Sequence, residues 1–242
     1  DKAAHHIDQR VKSFWVERHG NHPLDSVGLR YPSQRIAASC ANPKFQKRVT
    51  GRSAAARMIG KTSMRGSLAM RFSGKRAVVT GAAAGIGRAT VLRLVDEGAE
   101  VWAGDIDEAA GLDLAQTSNG RIHFQRTDVT KAEDIEALIL AADAAGGIDV
   151  LFNNAGAGGA RAKIDAITPD EWDYTQNLLL RSVALGIRYA APLMAARGGG
   201  AIVNTASIAA LQTGAAPTAY SVAKAGVLHL TKMAAADLAQ HH

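Results

Sequence analysis

From Lys75 onward, short apolar runs alternate with segments of helical periodicity. The apolar runs that we predict to be strands are 75–80, 100–105, 121–126, 148–152 and 201–206. The segments that we predict to be helices are 86–97, 107–117, 131–145, 169–197 and 217 to the end. Repeated strand–helix–strand units with short connections form a parallel sheet with helices on both faces. We therefore predict an α/β fold, a doubly wound three-layer αβα sheet with strand order 3-2-1-4-5.

Charge divides the chain into two parts. Residues 1–70 hold 13 Lys and Arg against 4 Asp and Glu, whereas residues 71–242 hold 15 against 18. We interpret residues 1–69 as a basic extension that is disordered or not native, and residues 70–242 as the folded domain. Two alternatives for the extension are a mitochondrial or plastid transit peptide and an arm that contacts nucleic-acid phosphates.

Composition limits the remaining classes of protein. Hydrophobic residues make up 47% and charged residues 21%, as in soluble globular proteins. No apolar run approaches the length of a membrane span, so we predict no membrane contact. The single Cys40 excludes an intrachain disulfide and a cysteine metal cluster, and the histidines lack a ligand spacing, so we predict no metal site. We expect a cytoplasmic location.

A glycine-rich loop joins the first predicted strand to its helix. Residues 80–87 are Thr-Gly-Ala-Ala-Ala-Gly-Ile-Gly. Glycines allow a tight turn and close backbone approach to a pyrophosphate, and the helix amino terminus offers free N–H groups to the anion. Asp105 ends the second strand 24 residues after Gly81, the spacing of an acid that binds the adenosine ribose. The loop and Asp105 together predict a dinucleotide site.

Asp105 also bears on the choice of cofactor. Its carboxylate can accept hydrogen bonds from a ribose and would repel a 2′-phosphate. Ile106 and Asp107 follow it, so no basic residue is adjacent to pair with such a phosphate. The sequence favours NAD over NADP.

Tyr220 and Lys224 are the predicted catalytic pair. Residues four apart share one face of a helix, so the phenol and the ammonium project together. The charge on Lys224 favours the phenolate, which suits Tyr220 to general acid/base work. Ser207 lies 13 residues before Tyr220, just after the last predicted strand, where its hydroxyl can bind a substrate oxygen.

In this order the motifs resemble the short-chain dehydrogenase/reductase family. The matching segments are Thr-Gly-x-x-x-Gly-x-Gly at 80–87, Asn-Asn-Ala-Gly at 153–156 and Tyr-x-x-x-Lys at 220–224. The resemblance covers residues 70–242 and implies a Rossmann fold and an NAD(H)-dependent oxidoreductase acting on a secondary alcohol or ketone. It implies that Tyr220 passes the proton, Lys224 also holds the nicotinamide ribose, and Ser207 orients the carbonyl.

The resemblance further implies the cofactor contacts and the partners. The expected cofactor-binding residues, besides Tyr220 and Lys224, are Thr80, Gly81, Gly85, Ile86, Gly87, Asp105, Asp128, Val129, Asn154, Ala155 and Gly156. The expected partners are a small-molecule substrate and further copies of the chain in a homodimer or homotetramer, without nucleic acid.

Two departures from the family pattern motivate an alternative. Leu179 stands where the family has a water-holding asparagine, and Asn177 is two residues too early to replace it. The strands and lid that follow the Tyr220 helix in the family do not follow here, so we expect a weakly stable, nearly inactive fragment of a longer enzyme. The alternative is a dinucleotide-binding protein that has lost catalysis and acts as a sensor or scaffold.

Overall fold

The computed structural model describes residues 70–241, so the predicted basic extension and Cys40 lie outside the described residues. Within them, parallel strands form one sheet in the order β3-β2-β1-β4-β5, which confirms the predicted topology. The strands are β1 (Arg76–Thr80), β2 (Glu100–Asp105), β3 (Ile122–Arg126), β4 (Val150–Asn153) and β5 (Ala201–Asn204). The β4 strand begins two residues later than predicted and β5 ends two residues earlier.

Helices cover both faces of this sheet. They are α1 (Gly85–Asp96), α2 (Glu108–Gln116), α3 (Ala132–Ala144), α4 (Pro169–Gln176), α5 (Ser182–Ala196) and α6 (Thr218–Leu238). Single turns of 3-10 helix occupy Ile208–Ala210 and Ala239–His241. The three-layer architecture is therefore the predicted one.

Successive side chains of each strand point to opposite faces of the sheet, so a separate apolar core lies on each face. Val79 of β1 points into the core that contains Val91 and Leu94 of α1. Its neighbour Val78 points to the opposite face, where Leu138 of α3 lies. Each fully buried side chain of this kind contributes about 1.5–3 kcal/mol, so both layers of helices are held to the sheet by apolar packing.

The helix predicted as continuous over 169–197 is interrupted. A capping box opens α4, because the Thr168 hydroxyl accepts from the Glu171 N–H and the Glu171 carboxylate accepts from the Thr168 N–H. Five residues of π-helix, Asn177–Arg181, then separate α4 from α5. A π turn accommodates an extra residue within a helix and commonly occurs at functional sites.

The combined helix corrects the prediction about membrane-length segments. The helical stretch Pro169–Ala196 is 28 residues long, and an 18-residue window within it has a mean hydropathy of 1.3, so by length and composition it could cross a membrane. Much of its apolar surface faces the sheet: Ala190 and Met194 pack in the α3 core, and Val183 packs near α6. These contacts are those of a core helix.

Candidate active site

A cavity of about 840 Å³ opens at the carboxyl ends of the strands. This is where ligands bind in a doubly wound sheet. All three predicted catalytic residues line it, together with most of the predicted cofactor residues, namely Gly81, Gly85, Ile86, Asp105, Asp128, Val129, Asn154, Ala155, Gly156, Tyr220 and Lys224. Thr80 and Gly87 lie outside this lining. The structure therefore brings the glycine loop and the Tyr220 helix to one space.

The loop needs glycine at two positions for steric reasons. Gly81 has φ +65°, and a Cβ there would lie 2.7 Å from the Cα of Ala155. A Cβ on Gly87 would lie 1.9 Å from the carbonyl oxygen of Gly81. Gly87 thus acts on the cavity indirectly, by letting α1 approach the loop.

The amino terminus of α1 faces the cavity without a side-chain cap. Its N-cap residue, Ala84, has no side chain that can accept from the first-turn N–H groups. Space is open beside Gly85, where a Cβ would meet nothing within 4 Å. Free N–H groups at a helix start, next to open space, fit an anionic pyrophosphate.

Thr80 also acts indirectly, because it fixes the Asn-Ala-Gly segment. Its hydroxyl oxygen accepts from the backbone N–H groups of Asn154 at 3.0 Å and Ala155 at 3.1 Å. The Asn154 amide donates in return to the carbonyl oxygens of Thr80 and Gly81. These bonds fasten the glycine loop to the end of β4.

Two carboxylates lie at the far end of the cavity. Asp105 Oδ2 accepts from the Ala83 N–H at 2.8 Å, so this side chain braces the glycine loop as well as facing the cavity. Asp128 Oδ1 accepts from the hydroxyl and the N–H of Thr130, and the hydroxyl bond in particular lowers the pKa of Asp128. Ile106 is 57% exposed beside them. This end presents carboxyl acceptors and an apolar surface.

At the opposite end lie Ser207, Tyr220 and Lys224. Lys224 is 4% exposed, and its Nζ lies 5.8 Å from the centre of the Tyr220 ring. Burial lowers the pKa of Lys224, because the ammonium is desolvated. The Ser207 hydroxyl oxygen accepts from the Ala209 N–H at 3.2 Å, which leaves its proton free to be donated.

Sequence reasoning missed the acceptor that holds Lys224. Its Nζ donates to the backbone carbonyl oxygen of Thr205 at 2.7 Å. Any residue can accept through its backbone carbonyl, so the identity of Thr205 does not predict this contact. Its position directly after β5 could have suggested that it lies near Lys224. Tyr174 and Leu178 also line the cavity and were missed, because the π turn that positions Leu178 has no distinctive sequence pattern.

Leu179 occupies the position where the resemblance expects asparagine. It is 1% exposed and lines the cavity. A Cβ on Gly156 would lie 3.0 Å from Leu179 Cδ2 and 4.0 Å from Lys224 Nζ, so leucine, glycine and ammonium meet here. Asn177 does not line the cavity. The inner wall beside Lys224 is therefore apolar.

Comparison with known proteins shows consistent similarity. The family description "short chain dehydrogenase" matches residues 75–242. Cis-4-hydroxycyclohexanecarboxylate dehydrogenase of Sinomonas cyclohexanicum is 41% identical over 172 residues, covering 69% of each chain. Cyclohexanol dehydrogenase of Acinetobacter sp. is 36% identical over 173 residues, covering 70% of this chain and 69% of that protein.

A solved structure shows the same fold. A short-chain dehydrogenase/reductase from Burkholderia phymatum in complex with NAD has a TM-score of 0.67 and 34% identity, over 71% of this chain and 62% of that one. The chain spans 56% to 69% of the length of the curated relatives that it matches. Because the family match extends over most of the chain and its relatives exceed 30% identity, the chain belongs to the short-chain dehydrogenase family.

Proposed function

We propose that the chain is the core of an NAD(H)-dependent oxidoreductase that interconverts a secondary alcohol and a ketone. One observation carries the proposal: a single cavity holds the glycine loop and Asp105 at one end and Ser207, Tyr220 and Lys224 at the other. A dinucleotide has its adenine and its nicotinamide at opposite ends of a central pyrophosphate, and a cavity of this composition fits all three parts.

The residues present fit the cofactor. The uncapped start of α1 and the open space beside Gly85 suit the pyrophosphate. Asp105 offers a carboxylate to the ribose hydroxyls, and the apolar Ile106 beside it supplies no charge for a 2′-phosphate, which supports NAD over NADP. When bound, the nicotinamide exchanges a hydride with the substrate carbon.

The chain's own residues handle the proton. Tyr220 Oη receives the proton of the alcohol during oxidation and returns it during reduction. The ammonium of Lys224 lies 5.8 Å from the centre of the Tyr220 ring, which places a positive charge beside the side chain that transfers the proton. The Ser207 hydroxyl donates to the substrate oxygen, where negative charge develops.

The names of two relatives suggest which substrates to test first. Both are named for hydroxylated cyclohexanes, so we propose an alicyclic secondary alcohol for this chain. The test mixes the full chain with NAD and a panel of such alcohols and follows the absorbance of reduced nicotinamide. We expect slow turnover, as for the weakly active fragment described above, and a further fall of about 100- to 10,000-fold in Tyr220→Phe, the usual range for loss of a general acid/base. No turnover and no thermal shift with NAD would overturn the proposal.

The second candidate is a dinucleotide-binding sensor or scaffold. The observation that favours it is the apolar Leu179 beside Lys224, where it can hold no water for a proton relay. NAD binding without turnover, unchanged by Tyr220→Phe, would support this candidate over the enzyme.

We further propose a homodimer or homotetramer in the cytoplasm. Helix α6 exposes Val222 and Met233 to roughly half of their full area, which supports a role for this helix in self-association. Light scattering of the purified chain tests the assembly, and a monomer at micromolar concentration would contradict it.

A further inference from the structure

The catalytic end of the cavity is bordered by uncharged side chains. Around Tyr220 and Ser207 these are Tyr174, Leu178, Leu179, Ala215, Ala216 and Pro217. Of the described residues that line the whole cavity, three carry charge: Asp105 and Asp128 at the far end, and Lys224. Formal charge in the lining is therefore negative overall, and the catalytic end holds no arginine.

Two residues of this surface, Leu178 and Leu179, lie on the π turn. In a regular α-helix each residue turns by about 100°, so two successive residues seldom face one cavity equally. Across Asn177–Arg181, both Leu178 and Leu179 line the cavity, and Tyr174 lines it one turn earlier. We call Tyr174, Leu178 and Leu179 the apolar wall. Tyr174 is 57% exposed, so the outer end of the wall can accept a substitution without disturbing the core.

Nearby cations are not placed to bind an anionic substrate. Lys224 lines the cavity but is 4% exposed, and its ammonium already donates to the Thr205 carbonyl oxygen. Arg161 and Lys163, in the loop after β4, are exposed and do not line the cavity. A carboxylate brought against Leu178 and Leu179 would lose part of its hydration, and Lys224 is the one cation among the described lining residues, which disfavours its binding.

We propose that the substrate is an uncharged, apolar alcohol or ketone, and that the apolar wall rejects substrates carrying a carboxylate or phosphate near the reacting carbon. The inference rests on the proposed oxidoreductase function and specifies its substrate class. It separates this chain from the relative named for a hydroxycyclohexanecarboxylate, despite 41% identity.

The experiment compares two matched alcohols, cyclohexanol and cis-4-hydroxycyclohexanecarboxylate, with NAD and the full chain. We expect kcat/KM for cyclohexanol to exceed that for the carboxylate by about 100-fold, because an unpaired buried charge is costly. Equal values, or a preference for the carboxylate, would overturn the inference and leave the oxidoreductase function standing.

Variants test whether the apolar wall causes the preference for cyclohexanol. Tyr174→Arg places a cation at its exposed end, and we expect the preference for cyclohexanol to shrink at least tenfold. Tyr174→Phe, which stays apolar at the same position, should leave the preference within about threefold of the original, and so should Arg161→Ala. If Arg161→Ala abolishes residual carboxylate turnover instead, that arginine binds the anion and the assignment to the wall is wrong.

A binding measurement keeps the inference testable without turnover. Cyclohexanone and 4-oxocyclohexanecarboxylate are added to the chain with NADH, and the thermal midpoint is recorded. Stabilisation by the neutral ketone alone supports the inference, even if catalysis fails. Stabilisation by the carboxylate, or by neither ketone, overturns it.

Discussion

The ammonium of Lys224 donates to the carbonyl oxygen of Thr205 at 2.7 Å, and this bond ties α6 to the end of β5. Lys224 is thereby held under the Tyr220 ring rather than extended into solvent. The same burial that fixes its position lowers its pKa. Position and protonation of Lys224 are therefore set together, by a backbone acceptor and by apolar neighbours.

Leu179→Asn should extend activity to more alkaline pH. Leu179 packs beside Gly156 close to the Lys224 ammonium, and an amide there would reduce the desolvation that lowers the lysine pKa. Lys224 would then keep its charge to higher pH, and the alkaline limb of the kcat profile would move upward. Leu179→Met, which stays apolar, should leave the limb in place. A limb unmoved by asparagine would show that Leu179 does not control Lys224.

Gly87→Ala should weaken NAD binding and lower stability. The added Cβ would lie 1.9 Å from the Gly81 carbonyl oxygen, so α1 and the glycine loop must move apart. Overpacking of this kind costs about 1–3 kcal/mol. We expect a lower thermal midpoint and a Kd for NAD raised about tenfold or more by calorimetry.

Gly158→Ala is the matched control for the loss of stability alone, because Gly158 itself lines the cavity. Its Cβ would meet nothing within 4 Å, and its φ is not in the left-handed region. Its thermal midpoint should stay close to that of the original chain. If Gly87→Ala and Gly158→Ala behave alike, close packing of α1 on the loop does not matter for the site.

The sequence sufficed for features that depend on local chemistry or period. Strand order followed from the alternation of predicted strands and helices. The π turn could not be predicted, because Asn177–Arg181 contains no proline or glycine and no other sequence pattern that distinguishes a π turn from an α-helix. Thr205 was missed because its carbonyl, a group common to all residues, makes the contact.

The burial of the charged residue Glu97 could not be predicted from the sequence either. Glu97 looks like a surface residue at the end of a helix, yet it is 1% exposed. Its partner Arg71 lies 26 residues earlier, so only the tertiary fold brings the two together. Pairings at such separations leave no mark on local periodicity.

Asp105→Ala should shift cofactor preference toward NADP. The substitution removes the carboxylate that faces the cavity and the acceptor of the Ala83 N–H. Hydrogen bonds to charged groups contribute about 1.5–3 kcal/mol, so NAD affinity should fall about 10- to 100-fold. NADP should lose less, since its 2′-phosphate is no longer repelled. The measured quantity is the ratio of kcat/KM for the two cofactors.

Asp107→Ala provides the control for charge alone. Asp107 caps α2 by accepting from the Ala110 N–H, and it does not line the cavity. Its loss should cost about 1 kcal/mol of stability and leave the cofactor ratio unchanged. An equal change in the ratio for both variants would mean that general electrostatics, rather than Asp105 at the ribose position, sets the preference.

Glu97→Gln should remove part of the acid sensitivity of folding. Hydrogen bonds from Arg71 and Arg93 lower the pKa of Glu97 to about 2, from an ordinary value near 4.5. The unfolded chain therefore binds a proton before the folded chain does, and the ion pairs stabilise the fold fully above pH 4.5. Their contribution declines as pH falls toward 2. Urea unfolding between neutral and acid pH should show a smaller acid loss in Glu97→Gln. Glu136→Gln, at an exposed position of α3, should follow the original chain, and identical slopes for all three proteins would contradict this role of Glu97.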